Sequence, residues 1–143
     1  MAPSGDMPDA AAQDQSFSLA NMVPQAPALN RGLWEGIESA VRAMAVRREL
    51  YVVTGPVFAG SELEAVGRVL VPGAVWKAVL DPERRRAAAY VAENRDDAEW
   101  RVVSMAQLRT ITGLDVFPSL PRWSKMARLR LPDPIRRDAG GRR

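Results

Sequence analysis

The chain contains no cysteine and no histidine. The first absence rules out disulfides and thiolate-bound metal. No apolar run approaches the roughly 20 residues that span a bilayer, which excludes a transmembrane helix. The N-terminus is polar and acidic instead of basic and then apolar, so no signal peptide is visible. Fixed-period repeats are lacking too, and nothing marks a second domain.

What remains is a chain of 143 residues, 47% of them hydrophobic, which suffices for one modest domain with one core. Net charge is only +3, but it is unevenly spread. Acidic residues lie in Asp6 to Asp14, Glu62 to Glu64 and Glu93 to Glu99, while basic ones gather at Arg84-Arg85-Arg86 and beyond Arg122. A basic excess suits a phosphate-bearing partner, although clustered arginine is more often a solvated surface or tail.

Along the chain, Met1 to Gln15 is rich in Ala and Asp, contains Pro3, Gly5 and Pro8, and reads as a loop. Ser16 to Val23 alternates and predicts a strand, with Phe17 and Leu19 on one face and Asn21 in phase at its end. Pro24 and Pro27 stop it. Leu50 to Thr54, continuously apolar and β-rich, predicts a central strand covered on both faces. Ala59 to Leu70 reads as a connection with a short helical piece at Ser61 to Val69. Ala74 to Leu80 and Ala87 to Ala92 predict two strands joined through Asp81-Pro82 as a hairpin. Arg101 to Val103 is a short strand. Ser104 and Gln107 then make a capping box, and Gly113 closes that helix. Trp123 to Leu131 reads as a short packed helix and Pro132 to Arg143 as a flexible basic tail.

The stretch that organises the rest is Asn21 to Arg42. A proline-bounded loop leads into a helix from about Asn30 to Arg47, whose residues Leu33, Ile37, Ala40, Val41 and Met44 form a core-facing stripe. Glu38 and Arg42 lie off that stripe at one-turn spacing. Taken alone, Asn30 could simply cap the helix, and Glu38 with Arg42 could be an i,i+4 ion pair.

The wider pattern adds to this. Ser18-Leu19-Ala20-Asn21-Met22-Val23-Pro24-Gln25, then Leu29-Asn30-Arg31-Gly32-Leu33-Trp34 and Glu38, closely resembles the DNA/RNA non-specific endonucleases, the endonuclease G-like ββα-metal family. Leu50 to Phe58, Val71-Pro72 with Trp76-Lys77-Ala78-Val79, and Thr112 to Pro118 extend the resemblance in the expected order to about Pro121. It implies an α+β, ββα-metal nuclease fold, mostly an antiparallel sheet flanked by helices. The domain would occupy residues 1–121, with 122–143 as a basic tail.

Hydrolysing a phosphodiester needs a base for water, a cation for developing charge and stabilisation of the leaving oxygen. The resemblance implies that Asn30 holds Mg²⁺ (or Mn²⁺), which tolerates a single protein ligand among waters. It gives Glu38 the ordering of water at the metal, Arg42 a contact to the scissile phosphate, Arg31 a further nucleic-acid contact, and Asn21 the orientation of the site. Trp34 reads as packing and Arg84 to Arg86 as a solvated turn. One departure stands out: the family carries Asp-Arg-Gly-His just before a segment like Met1 to Met7, and its histidine is the general base. The expectation is an endonuclease cutting DNA and RNA that lacks its N-terminal portion and is inactive as given.

Two other readings stay open: a catalytically dead module that binds nucleic acid or a partner, and a remnant that does not fold stably because its sheet edges are exposed. The family leaves room for a homodimer, and for a periplasmic or secreted location if an upstream signal exists.

Overall fold

Strands β4 (Ala74–Asp81) and β5 (Arg86–Glu93) form the hairpin that the two apolar runs predict, in a computed structural model that describes residues 3, 6–18, 21–59 and 63–135. Their connection is held by Asp81, whose buried carboxylate accepts from the Arg84 backbone N–H at 3.0 Å and from Arg48 at 3.1 Å. Burial pushes that carboxyl up, but these donors outweigh it and hold it below its ordinary value. Arg85 takes the left-handed step of the turn at φ 51°.

β4 and β5 are the two central strands. Among the described residues the sheet runs β1-β4-β5-β6, antiparallel throughout, with β1 at Tyr51–Val57 and β6 at Trp100–Val103. The expected central position of Leu50 to Thr54 is therefore corrected. β1 is an outer strand, and Tyr51, Val52 and Val53 are exposed. Burial of both faces belongs to β4 and β5; a short apolar run does not distinguish the two cases. At Gly55 a Cβ would run into the Trp76 ring, so β1 and β4 approach closely there only because the side chain is missing.

Each central strand alternates between two cores. Val75 and Val79 with Ala88, Tyr90 and Ala92 face one side, where helix α2 (Glu35–Ala45) brings Ile37 and Val41. Trp76 and Ala78 with Ala87, Ala89 and Val91 face the other, where helix α3 (Met105–Thr112) brings Met105 and Leu108. The result is α+β, an antiparallel sheet flanked by helices. The capping box of Ser104 and Gln107 forms at the start of α3, and Gly113 ends it at φ 76°.

Several local expectations are overturned. The expected loop at Met1 to Gln15 gives way in its second half to helix α1 (Ala10–Ser16), capped by Asp9. That helix uses the first residue of the predicted strand at Ser16 to Val23. Phe17 is exposed in the turn that follows; Leu19 and Ala20 lie outside the described residues. Of the helical piece expected at Ser61 to Val69, Ser61 and Glu62 lie outside the described residues, and the rest holds a two-stranded ribbon, β2 (Ala65–Val66) and β3 (Val69–Leu70), turned by Gly67 at φ 62°.

The chain after α3 first contacts α3 and β5 and then crosses to the α2 face. Helix α4 (Arg122–Met126) buries Ser124, and Leu129 and Leu131 join the core under α2. The Tyr90 hydroxyl donates to Pro132 O at 2.6 Å, and the Ile135 N–H donates to Gly36 O at 3.0 Å. Residues 136–143 lie outside those described. Among the described residues no helix is long and apolar enough to cross a membrane.

Candidate active site

The helix that carries the predicted site residues begins with a π-helical turn, Leu29–Trp34, which runs directly into α2. Asn30 does not cap it. The N-cap is Ala28, and Asn30 lies within the first turn with its N–H on Ala26 O at 3.0 Å. Donors at the entry are satisfied from the loop after β5: Asn94 Oδ1 accepts from the Ala26 N–H at 2.8 Å, and Asp96 Oδ1 from the Ala28 N–H at 3.1 Å. Asn94 also donates to Pro24 O and Pro72 O, pinning the proline loop to the sheet.

The π turn has a consequence for alignment. Eight residues of straight α-helix would leave Asn30 roughly 80° away from the direction of Glu38. A π turn takes more residues per revolution and so reduces that offset, turning Asn30 toward the Glu38 side of the helix.

Asn21, Glu38 and Arg42 come together on the wall of a cleft of about 750 Å³ between the α2 face, β1 and the N-terminal segment. Asn21 is half-buried and donates to Ser16 O at 2.8 Å. Thr54, Lys77 and Asp6 share the same cleft. Asn30 is exposed and lies outside its lining. Arg31 lies elsewhere, beside Trp100 and Pro134 in a second hollow of about 470 Å³.

The charges pair in an order that helical spacing does not suggest. Glu38 meets Lys77 of β4, with Nζ 3.7 Å from Oε1, while the Arg42 guanidinium meets Asp6 at 2.7 Å. Both contacts are long-range, so the i,i+4 reading gives way to two pairs that tie the helix to the sheet and to the N-terminal segment. Burial pushes the Glu38 carboxyl up from its ordinary value; Lys77 opposes this, Asp6 adds to it, and Arg42 opposes it. Burial pushes Lys77 down, with Glu38 opposing.

Sequence reasoning missed Lys77, Asp6 and Thr54 as parts of the cleft. A signal existed for one of them. In β4, Lys77 takes the place in the alternation between Val75 and Val79, where an apolar residue is expected. Among the described residues there is no group of three or more His, Cys, Asp or Glu that could cage a metal. The donors present near this helix face are an exposed amide and carboxylates, which are hard oxygen ligands.

The family model of the DNA/RNA non-specific endonucleases matches residues 1–122. The chain is 33% identical over 133 residues to a nuclease of Nostoc sp., covering 80% of this chain and 48% of that protein. It is 35% identical over 105 residues to Nuclease C1 of Cunninghamella echinulata var. echinulata, covering 64% and 42% respectively. With mitochondrial endonuclease G of Bos taurus it shares 40% identity over 48 residues, 33% of this chain and 16% of that protein. The chain thus spans less than half the length of these relatives. No solved structure matches it significantly.

Proposed function

Because this chain belongs to the DNA/RNA non-specific endonuclease family, we propose that its cleft takes the phosphodiester backbone of DNA or RNA, as part of a metal-dependent endonuclease. The observation that carries this reading is the convergence of Asn21, Glu38 and Arg42 on one cleft. In it Arg42 contacts the scissile phosphate. Its guanidinium already holds a carboxylate, Asp6, and a fork of donors suits phosphate equally. Glu38 orders the attacking water, Asn21 orients the site, and Arg31 extends contact along the strand.

Asn30 would hold the ion, Mg²⁺ or Mn²⁺. Its amide is exposed, and an ion that keeps most of its waters needs no cage of carboxylates. Bound there, the cation would stabilise charge developing on the phosphate.

With no histidine in this sequence, no imidazole here can act as base. General base catalysis contributes about 10²–10⁴-fold, so this chain by itself is expected to cut plasmid DNA at least ~10²-fold more slowly than the Nostoc nuclease. Fluorescein-labelled DNA should still bind, with affinity falling as salt rises. Adding an Asp-Arg-Gly-His segment upstream should confer Mg²⁺-dependent cutting. Binding without cutting even then would favour the second reading, a catalytically dead binding module, which the missing imidazole recommends. Neither binding nor cutting of DNA or RNA in any form would end both.

A further inference from the structure

Lys77 has no part in the roles above, yet it reaches the same cleft from beneath. It sits in mid-β4, paired with Thr54 of β1 and Tyr90 of β5, and is 2% exposed. A long cation near a surface cleft ordinarily extends its tip into water. This one turns inward. Its Nζ donates to Thr54 Oγ1 at 3.0 Å, lies 5.5 Å from the centre of the Trp34 ring, and faces Glu38 Oε1 at 3.7 Å.

Those three contacts come from two elements, β1 and the helix, and they leave the ammonium little freedom. Burying a charge is unfavourable unless it is well paired, and a methionine of similar length would pack against Val75, Val79 and Trp34 without that penalty. Stability therefore gives no reason for lysine here. Geometry does. Glu38 projects from α2 over the cleft floor, and the fixed ammonium is the nearest opposite charge that defines where its carboxylate rests. Asp6 and Arg42, which also face Glu38, hold each other at 2.7 Å.

We propose that Lys77 is a positioning residue: clamped by Thr54 and the face of Trp34, it holds one oxygen of the Glu38 carboxylate against the sheet and leaves the other for what enters the cleft. This rests on the reading that Glu38 acts in that cleft. It also assigns Trp34 and Thr54 a task, the seating of the lysine.

The test uses the full chain, its K77M, K77R and T54V variants, and glutamate labelled with ¹³C at the side-chain carboxyl. In K77M the Glu38 carboxyl should titrate at clearly higher pH than in the parent, in K77R close to the parent, and in T54V between the two. A lysine whose charge does not reach the Glu38 carboxylate would leave that titration unmoved. A Glu38 titration unchanged in folded K77M overturns the proposal. If K77M does not fold, T54V decides, since it removes the anchor and strands no charge, and an unchanged titration there overturns the proposal equally. As a second readout, Mn²⁺ alone is titrated by water proton relaxation. K77M should weaken its binding about 5-fold or more, and K77M combined with E38Q should be no weaker than the worse single variant. Absence of Mn²⁺ binding by the parent chain counts against the nuclease reading; the carboxyl titration judges the clamp separately.

Discussion

Under α3 the sheet presents Trp76, Ala78, Ala89 and Val91, all buried and all apolar, whereas under α2 the same two strands present Val75 and Val79 on either side of a buried lysine, with Tyr90 beside it. Both faces exclude water, and both helices lay an apolar stripe on them. The difference is in what has been enclosed. The α3 side holds no charged group among these side chains; their one polar contact is the Trp76 indole N–H, which donates to Pro56 O. On the α2 side a lysine and a carboxylate are enclosed at the edge of a cleft, and a tyrosine hydroxyl donates to the chain crossing over it. Charges under such cover are unfavourable for folding, so the two faces divide the work: one secures the sheet, the other positions polar groups.

The strongest way to break that contrast is to open a cavity on each side. Leu108→Ala under α3 and Ile37→Ala under α2 remove side chains that are both 0% exposed, and each should cost about 2–5 kcal/mol in urea unfolding. Under conditions where both remain folded, only Ile37→Ala should also weaken DNA binding. Equal losses of binding would mean the faces are not independent. A smaller effect is expected at the entry to α3. Ser104→Ala removes half of a reciprocal capping box and should cost about 1 kcal/mol without touching the cleft.

The smallest effect is a dependence on pH. Burial raises the Glu38 carboxyl in the folded chain, so the folded state holds that proton more tightly than the unfolded one. Stability from this group is fully present below its ordinary value of 4.5, and it falls as pH rises through the raised value. Glu38→Gln should therefore match the parent in acid and gain on it toward neutrality, as thermal melts at a series of pH values would report. Lys77 acts in the opposite sense, with stability recovering as pH climbs toward 10.5.

Local rules were enough where one element decides its own form. The stripe of Ile37 and Val41, the hairpin through Asp81, and the box of Ser104 with Gln107 are written in spacing alone, and each is present. Placement within the sheet is a different matter. Tyr51 to Val53 look as apolar as Ala87 to Ala92, and only the strand order sends one run to the outside. Ser16 alternates in phase with a strand, but Asp9 captures the Ala12 N–H and starts a helix that absorbs it. The site divides similarly. Asn21, Glu38 and Arg42 were legible through their motif and meet in one cleft. Their charge partners Lys77 and Asp6 were not, because they come from 39 residues downstream and 36 upstream. Arg31, adjacent to Asn30 in the motif, faces another hollow because neighbours on a helix diverge in direction.

The contact between Ile135 and Gly36 reaches into how the molecule is made. Gly36 carries no side chain where the Ile135 carbonyl passes, and a Cβ there would lie 2.7 Å from that oxygen. Leu129 and Leu131, just before it, complete the packing under α2. On a ribosome adding about 5–20 residues per second, α2 emerges several seconds before the segment that covers its base. During that interval the helix with Glu38 and Arg42 can rest on the sheet but cannot be sealed to it. The hollow that Arg31, Gly36 and Ile135 line is thus closed only after the sheet and α3 have been made.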